Sequence, residues 1–239
     1  MNKPAADSAN LYGGYAQWKQ WDGDFSASDR DARYFTAEFA DIELAARRVL
    51  EIGFGNGSFL AWAKAQGALV VGTEIDEGML ARAREKGFVA LPSALAGLAA
   101  SGQRFDVVVA FDVFEHWDKE TLIANLKCIA ALLDTGGLVL ARFPNGHSPF
   151  GRVHQHGDIT HQTALSKSSI EQLAGITGFT VVRVSNAASV PVRCDMWSAL
   201  KHRWRKRRRA KIEVMIGKLY GIDRLPLDPN LTAVLRKQA

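Results

Sequence analysis

Cysteine is nearly absent. The only two, Cys128 and Cys194, stand far apart, which argues against a disulfide framework and against a cysteine metal knuckle. Also missing is any run near the ~18 apolar residues of a membrane-spanning helix. The opening residues Met1 to Ser8 lack the apolar core that a secretion signal needs. Together these absences point to a reducing, cytoplasmic setting. Acids are scarce in one place, since Glu213 alone occurs between Asp195 and Tyr220. No internal repeat is present.

The rest of the composition is that of a folded domain. The chain has 239 residues, 47% hydrophobic and 23% charged, enough for one α/β domain with appendages. Its net charge of +5 is local in origin. Lys201, Arg203, Arg205, Lys206, Arg207, Arg208, Arg209 and Lys211 put eight positive charges in one short run, and without them the remainder stands at −3.

Residues 1–27 are polar yet carry Tyr12, Tyr15, Trp18 and Trp21, too aromatic for a free tail, so a lid or docking segment is expected there. Ser28 reads as the cap of a helix running to about Leu44, with Phe35 and Phe39 on one face. Short apolar runs then alternate with helical segments. Strands are expected at Arg48–Gly53, Ala68–Thr73, Phe88–Leu91, Phe105–Phe111, Leu138–Phe143 and Phe179–Val184. Helices fit between them at Ser58–Gln66, Glu77–Lys86, Ala94–Ala100, Lys119–Leu133 and Lys167–Thr177. Val107-Val108-Val109 and Leu138-Val139-Leu140 are continuously apolar, as strands covered on both faces should be. Such alternation predicts a doubly wound α/β fold around a mostly parallel sheet with right-handed crossovers.

The first strand runs into Glu51-Ile52-Gly53-Phe54-Gly55-Asn56-Gly57-Ser58, directly before a helix. Glycines let the backbone turn tightly and approach a ligand, whose polar end meets free amides at the helix start. The dinucleotide pattern G-x-G-x-x-G fails, because its third glycine falls on Ser58. The second strand ends at Thr73-Glu74-Ile75-Asp76, and a carboxylate at that tip can accept two hydrogen bonds from a ribose diol.

In these features the sequence resembles the class I S-adenosylmethionine-dependent methyltransferases, over about Val49 to Val184. Val49 to Gly57 stands as the first motif, Phe105 to His116 matches an Asp-Val-x-Glu-His pattern at the exit of strand four, and Asp134 to Leu140 matches a Gly-Gly turn before strand five. The resemblance implies S-adenosylmethionine as cofactor, held by Glu51, Gly53, Gly55, Asn56, Gly57, Glu74, Ile75, Asp112 and Val113. An acid that many members carry after strand three is replaced by Pro92-Ser93, leaving Ser93 or backbone groups for the adenine. It further implies a seven-stranded sheet with an antiparallel final strand, here Leu231–Arg236. The expected division is thus 28–186 for the cofactor-binding domain, 187–230 for a basic helical insertion and 231–239 for the last strand.

Methyl transfer from a sulfonium is a direct displacement in which alignment matters most. A hydroxyl acceptor must also lose a proton, and a base then contributes roughly 10²–10⁴-fold. The segment Pro144 to His161 carries His147, His154, His156 and His161, four of the six histidines. Three readings are open for His154, His156, Asp158 and His161: base and positioning groups, loop polars bonding the backbone, or ligands of a divalent metal. His116 is a further candidate, as a base or as a wall of the cofactor's methionine end. Catalysis is assigned to His161, Asp158 and His116, with no residue assigned to a metal. The loop from Pro144 to His161, with Gly157-Asp158-Ile159-Thr160-His161, is similar to that of methyltransferases of bacterial surface-polysaccharide and glycolipid assembly. That similarity implies O-methylation of a small-molecule or glycan acceptor, with His161 or Asp158 as base.

Between Arg193 and Tyr220, Trp197, Leu200, Trp204, Ile212, Met215, Ile216 and Leu219 recur at helical steps among Lys and Arg. Residues 197–220 thus read as a helix for an anionic membrane surface, peripheral on its inner face. An insertion packed on its own domain and a nucleic-acid contact are the other readings. An RNA methyltransferase tethered by this helix, or a non-catalytic subunit with the same fold, are the alternative functions. Against RNA base methylation, Phe111-Asp112-Val113-Phe114 stands where an Asn-Pro-Pro-Tyr-like tetrapeptide is often found.

Overall fold

The computed structural model describes residues 12, 14–21 and 23–238. Of the expected lid over residues 1–27, residues 1–11, 13 and 22 lie outside the described residues.

The chain opens with a single turn α1 (Tyr15–Trp18) and helix α2 (Asp29–Glu38). Then follow β1 (Arg48–Ile52), α3 (Ser58–Ala65), β2 (Leu69–Glu74), α4 (Glu77–Glu85), β3 (Val89–Pro92), α5 (Leu95–Ala100) and β4 (Phe105–Phe111). A 3-10 turn (Phe114–His116) leads into α6 (Lys119–Leu132), β5 (Leu133–Pro144), α7 (Arg152–Gly157), α8 (Lys167–Thr177), β6 (Phe179–Asn186), α9 (Met196–Leu219) and β7 (Asn230–Lys237).

The seven strands form one sheet in the order β3-β2-β1-β4-β5-β7-β6. β1 to β5 are parallel, while β7 runs antiparallel between β5 and β6. Strand order reverses between β1 and β4, so a crevice opens there at their carboxyl ends, where α/β sheets place ligands. One face of the sheet is covered by Leu122, Leu126, Ile129 and Leu132 of α6 and Ile170 and Ala174 of α8. On the other, Phe35 and Phe39 pack with Phe59 and Trp62 of α3 against Val49, Val107 and Val109. Each large side chain buried in this way contributes roughly 1.5–3 kcal/mol.

The Ser28 cap is as expected from the sequence, and a second cap, at Ser166, is seen in the structure. Ser28 forms a reciprocal capping box with Asp31, and Ser166 forms one with Ser169. Three expectations are corrected. The first helix stops at Glu38, not Leu44, because Phe39, Ile42 and Leu44 are all buried and no single helical face presents the last of them to the core. β5 begins at Leu133, five residues early: Leu133 pairs with Phe105, Gly136 turns at φ +77°, and pairing resumes at Leu138. The loop after β5 contains a short helix, α7, over residues without apolar periodicity.

α9 is held by its C-terminal part. Glu213 and Gly217 are its buried residues, and Gly217 packs against the backbone of Ile222 and Arg224. The apolar stripe is not packed on the domain: Trp197, Leu200, Trp204, Met215 and Leu219 are exposed. Among the described residues no helix is long and apolar enough to cross a membrane.

Candidate active site

The loop after β1 is shaped by left-handed glycines. Gly57, at φ +74°, begins α3, and a Cβ there would lie 2.1 Å from the Phe25 ring. Gly55, at φ +50°, donates its N–H to Glu74 Oε2 at 2.9 Å, while Trp21 lies against its Cα. Glu74 Oε1 also accepts from Ile75 N at 2.7 Å and from Asp76 N at 3.4 Å. Burial pushes the Glu74 carboxyl up, and these N–H groups counter it. Glu51 is pushed well above the ordinary range by burial and by the charge of Glu74.

The crevice is a cavity of about 930 Å³, within the usual size of small-molecule sites. Its wall holds Glu51, Gly53, Gly55, Asn56, Glu74, Ile75, Ser93, Asp112 and Val113, so every expected cofactor residue except Gly57 lines it. Gly57 instead sits beneath Phe25. Two departures from ordinary packing mark it as a binding site. Among the described residues Glu51 Oε2 is buried with no hydrogen-bond partner, and Asp112 holds φ +56°, a region L-residues seldom adopt. Asp112 is fixed there by Arg142, whose Nε lies 2.9 Å from Oδ1 and whose Nη2 pairs with Oδ2.

At the other end of the cavity stands His116, flanked by Tyr12, Tyr15, Lys19, Trp117 and Gln162. Its Nδ1 lies 2.9 Å from Thr160 Oγ1, and Thr160 Oγ1 donates to Asp158 Oδ1 at 2.5 Å. With its proton given to the carboxylate, the Thr160 hydroxyl accepts from His116, placing the imidazole proton on Nδ1. Asp158 Oδ2 accepts from Tyr15 Oη at 2.8 Å and pairs with Lys19 at 3.2 Å. Burial pushes Asp158 up, but the Thr160, Tyr15 and Lys19 bonds outweigh it and hold the carboxyl well below its usual range. His116 is pushed down to about 4 by burial and by His161, whose ring centroid lies 4.6 Å away.

Of the three residues assigned to catalysis, His116 lines the cavity, whereas Asp158 and His161 lie behind it. His147, His154 and His156 are exposed and stand apart from this cluster. Sequence reasoning gave no individual role to Lys19, Arg142 or Thr160 and placed Tyr12 and Tyr15 only in an expected lid or docking segment. Thr160 and Glu115 did carry a signal, as members of the two quoted motifs, whereas Tyr15 meets Asp158 across 143 residues of chain.

A sheet in this order, with a glycine loop and an acid at its switch point, defines a class I S-adenosylmethionine-dependent methyltransferase. Residues 26–184 match the family described as a methyltransferase domain, and the chain belongs to that family. Its cofactor is S-adenosylmethionine. The chain is 29% identical over 165 residues to the magnesium-protoporphyrin O-methyltransferase of Synechocystis, covering 60% of this chain and 67% of that one. The fold is shared with an S-adenosylmethionine-dependent methyltransferase from Archaeoglobus fulgidus, at TM-score 0.64 and 18% identity over 97% of this chain and 100% of that one. It is shared equally with the 1,6-didemethyltoxoflavin N1-methyltransferase of Burkholderia thailandensis, at TM-score 0.64 and 15% identity over 100% of this chain and 92% of that one.

Proposed function

We propose that the chain transfers the methyl group of S-adenosylmethionine to a hydroxyl oxygen of a small-molecule or glycan acceptor that enters beside His116. One observation carries this reading: a single cavity joins the glycine loop and Glu74 at one end to His116 at the other, with Asp158 tied to His116 through Thr160. In this reading Glu74 takes the ribose diol, Glu51 accepts from the methionine ammonium, and Ile75 and Ser93 flank the adenine. Asp112 and Val113 bound the methyl end. The acceptor oxygen attacks the methyl carbon as the carbon–sulfur bond breaks, and S-adenosylhomocysteine leaves as a neutral thioether. The hydroxyl proton departs toward the imidazole and carboxylate groups around His116. That cluster favours oxygen, since an amine acceptor needs little such help.

Similar proteins include both an O-methyltransferase and an N-methyltransferase, so experiment decides the atom. The exposed tryptophans and arginines of α9 favour a lipid-linked saccharide met at the inner face of a membrane, with the protein otherwise cytoplasmic. The test is transfer of a labelled methyl group to fractionated cell extract, followed by mass spectrometry of the product. His116→Ala should then lower turnover at least 10²-fold and leave S-adenosylmethionine affinity within about threefold. A labelled amine product, or full activity of His116→Ala, overturns the oxygen reading.

A further inference from the structure

Next to His116 in sequence, Glu115 places a carboxyl group in the interior. Glu115 is fully buried, and among the described residues neither of its carboxylate oxygens has a hydrogen-bond partner. The fold holds it there firmly: its carbonyl accepts from Gln162 N at 2.7 Å and Thr163 N at 3.0 Å, which pins the loop after α7 to the 3-10 turn. Those contacts bring His161 opposite. His161 Nδ1 lies 3.1 Å from the Gln155 carbonyl, which can only accept, so the ring proton sits on Nδ1 and the lone pair on Nε2. That Nε2 faces two carboxylates, at 3.9 Å from Glu115 Oε1 and 3.7 Å from Asp158 Oδ2. Both distances exceed a hydrogen bond. A lone pair and a buried carboxyl therefore face each other without a direct hydrogen bond, an arrangement that a proton on the carboxyl or a shared cation relieves.

We infer that Glu115, His116 and His161 form a binding site for one divalent cation. One ligand atom from each lies within 4.8 Å of the others, a spacing a single ion can bridge. Two imidazoles and a carboxylate suit a first-row cation such as Zn²⁺ or Mn²⁺ better than Mg²⁺, which prefers an all-oxygen shell. Three protein ligands leave a position for water or for substrate. Thr160 and Asp158 complete the arrangement by holding the Nδ1 proton of His116, as a second shell does for a ligating histidine. Because His116 also lines the cavity, the acceptor hydroxyl would meet the ion there. The ion would lower the hydroxyl's pKa, and His116 and His161 would serve as ligands instead of proton acceptors. This consequence rests on the hydroxyl reading; the binding does not.

The experiment is calorimetric titration of chelator-treated full-length protein with Mn²⁺ and, separately, with Zn²⁺. One ion per chain should bind, and thermal unfolding of the wild type should shift upward with the ion present. Glu115→Gln and His161→Gln should each weaken binding at least tenfold. Glu115→Gln removes a buried charge while keeping shape, so it should fold, and circular dichroism checks that. Absence of binding to the wild type, or unchanged affinity in a folded Glu115→Gln, overturns the site and leaves Glu115 a protonated carboxyl. That result would leave hydroxyl methylation intact. An ion that binds here while the labelled product is an amine would instead keep the site and remove the hydroxyl reading.

Discussion

The Tyr15 hydroxyl donates to Asp158 Oδ2 at 2.8 Å, tying the N-terminal segment to the loop beyond β5. With Lys19 on the same oxygen and Trp21 against Gly55, that segment touches both ends of the cavity. Tyr15→Phe keeps the ring and deletes the bond. A hydrogen bond to a charged group contributes about 1.5–3 kcal/mol, so turnover should fall roughly tenfold or more with little change in overall stability. Steady-state kinetics beside thermal unfolding checks this, and unaltered kinetics would mean that Asp158 is held well enough by Thr160 and Lys19.

If Glu74 holds the ribose as proposed, Glu74→Ala should weaken S-adenosylmethionine binding by up to a few kcal/mol, through loss of two charge-assisted hydrogen bonds to the diol and of the Gly55 contact. Calorimetry with the wild type alongside decides it. Equal affinities would take Glu74 out of the site.

Gly57→Ala meets both a left-handed backbone and the Phe25 ring, whereas Gly87→Ala meets only the former, at φ +76° with open space around it. The Gly87 variant should lose about 1–2 kcal/mol of stability. The Gly57 variant should lose more, and its cofactor affinity as well. Chemical unfolding of the pair separates strain from collision.

Glu213 accepts from Asn186 at 2.6 Å, Leu227 N at 3.0 Å and Arg224 Nε at 2.8 Å. Burial raises its carboxyl, but these bonds prevail and hold it below the ordinary value. A depressed acid stabilises the fold fully above its unfolded pKa, about 4.3, and loses that contribution as pH falls through the folded value. Glu213→Gln should therefore be about 1–3 kcal/mol less stable than wild type near pH 7, with the gap closing in acid below pH ~4. A gap independent of pH would show that shape, not charge, matters at this position.

On α9, Trp197 and Trp204 are 68% and 56% exposed, and Arg208 stacks on the Trp204 ring at 4.6 Å. Each Lys or Arg near an anionic bilayer contributes about 1 kcal/mol, screened over roughly 10 Å at 0.1 M salt. Binding to phosphatidylserine-containing vesicles should rise with anionic lipid and fall with salt. Trp197→Ser with Trp204→Ser should weaken it substantially. Retention of RNA without vesicle binding would favour a nucleic-acid partner instead, and indifference to both would leave the helix a solvated appendage.

The sheet was legible because short apolar runs such as Val107-Val108-Val109 and Leu138-Val139-Leu140 mark its central strands: β4 falls on Phe105–Phe111 as expected, as does α8 on Lys167–Thr177. The meeting of Gly55 with Glu74 was equally legible, since the glycine loop follows β1 and Glu74 ends the adjacent parallel β2. The acceptor end was not. His116 and Thr160 stand 44 residues apart, and no periodicity in residues 12–21 announces that Tyr15 and Lys19 reach Asp158. The stripe on α9 was visible, but its exposure depends on where Glu213 and Gly217 anchor the helix.

The position of β7 bears on how the molecule assembles. It follows α9 in sequence yet lies in the sheet between β5 and β6, pairing with residues Leu138 to Pro144 and Phe179 to Asn186. Until it arrives, β6 has no neighbour, and the apolar edge of β5 stays open to other chains. Closing that gap requires contacts spanning roughly fifty to a hundred residues, the kind of pairing that slows folding. Insertion of β7 is the step at which a nascent chain would be most prone to aggregate, and loss of those eight residues would leave two unsatisfied strand edges in place of a local defect.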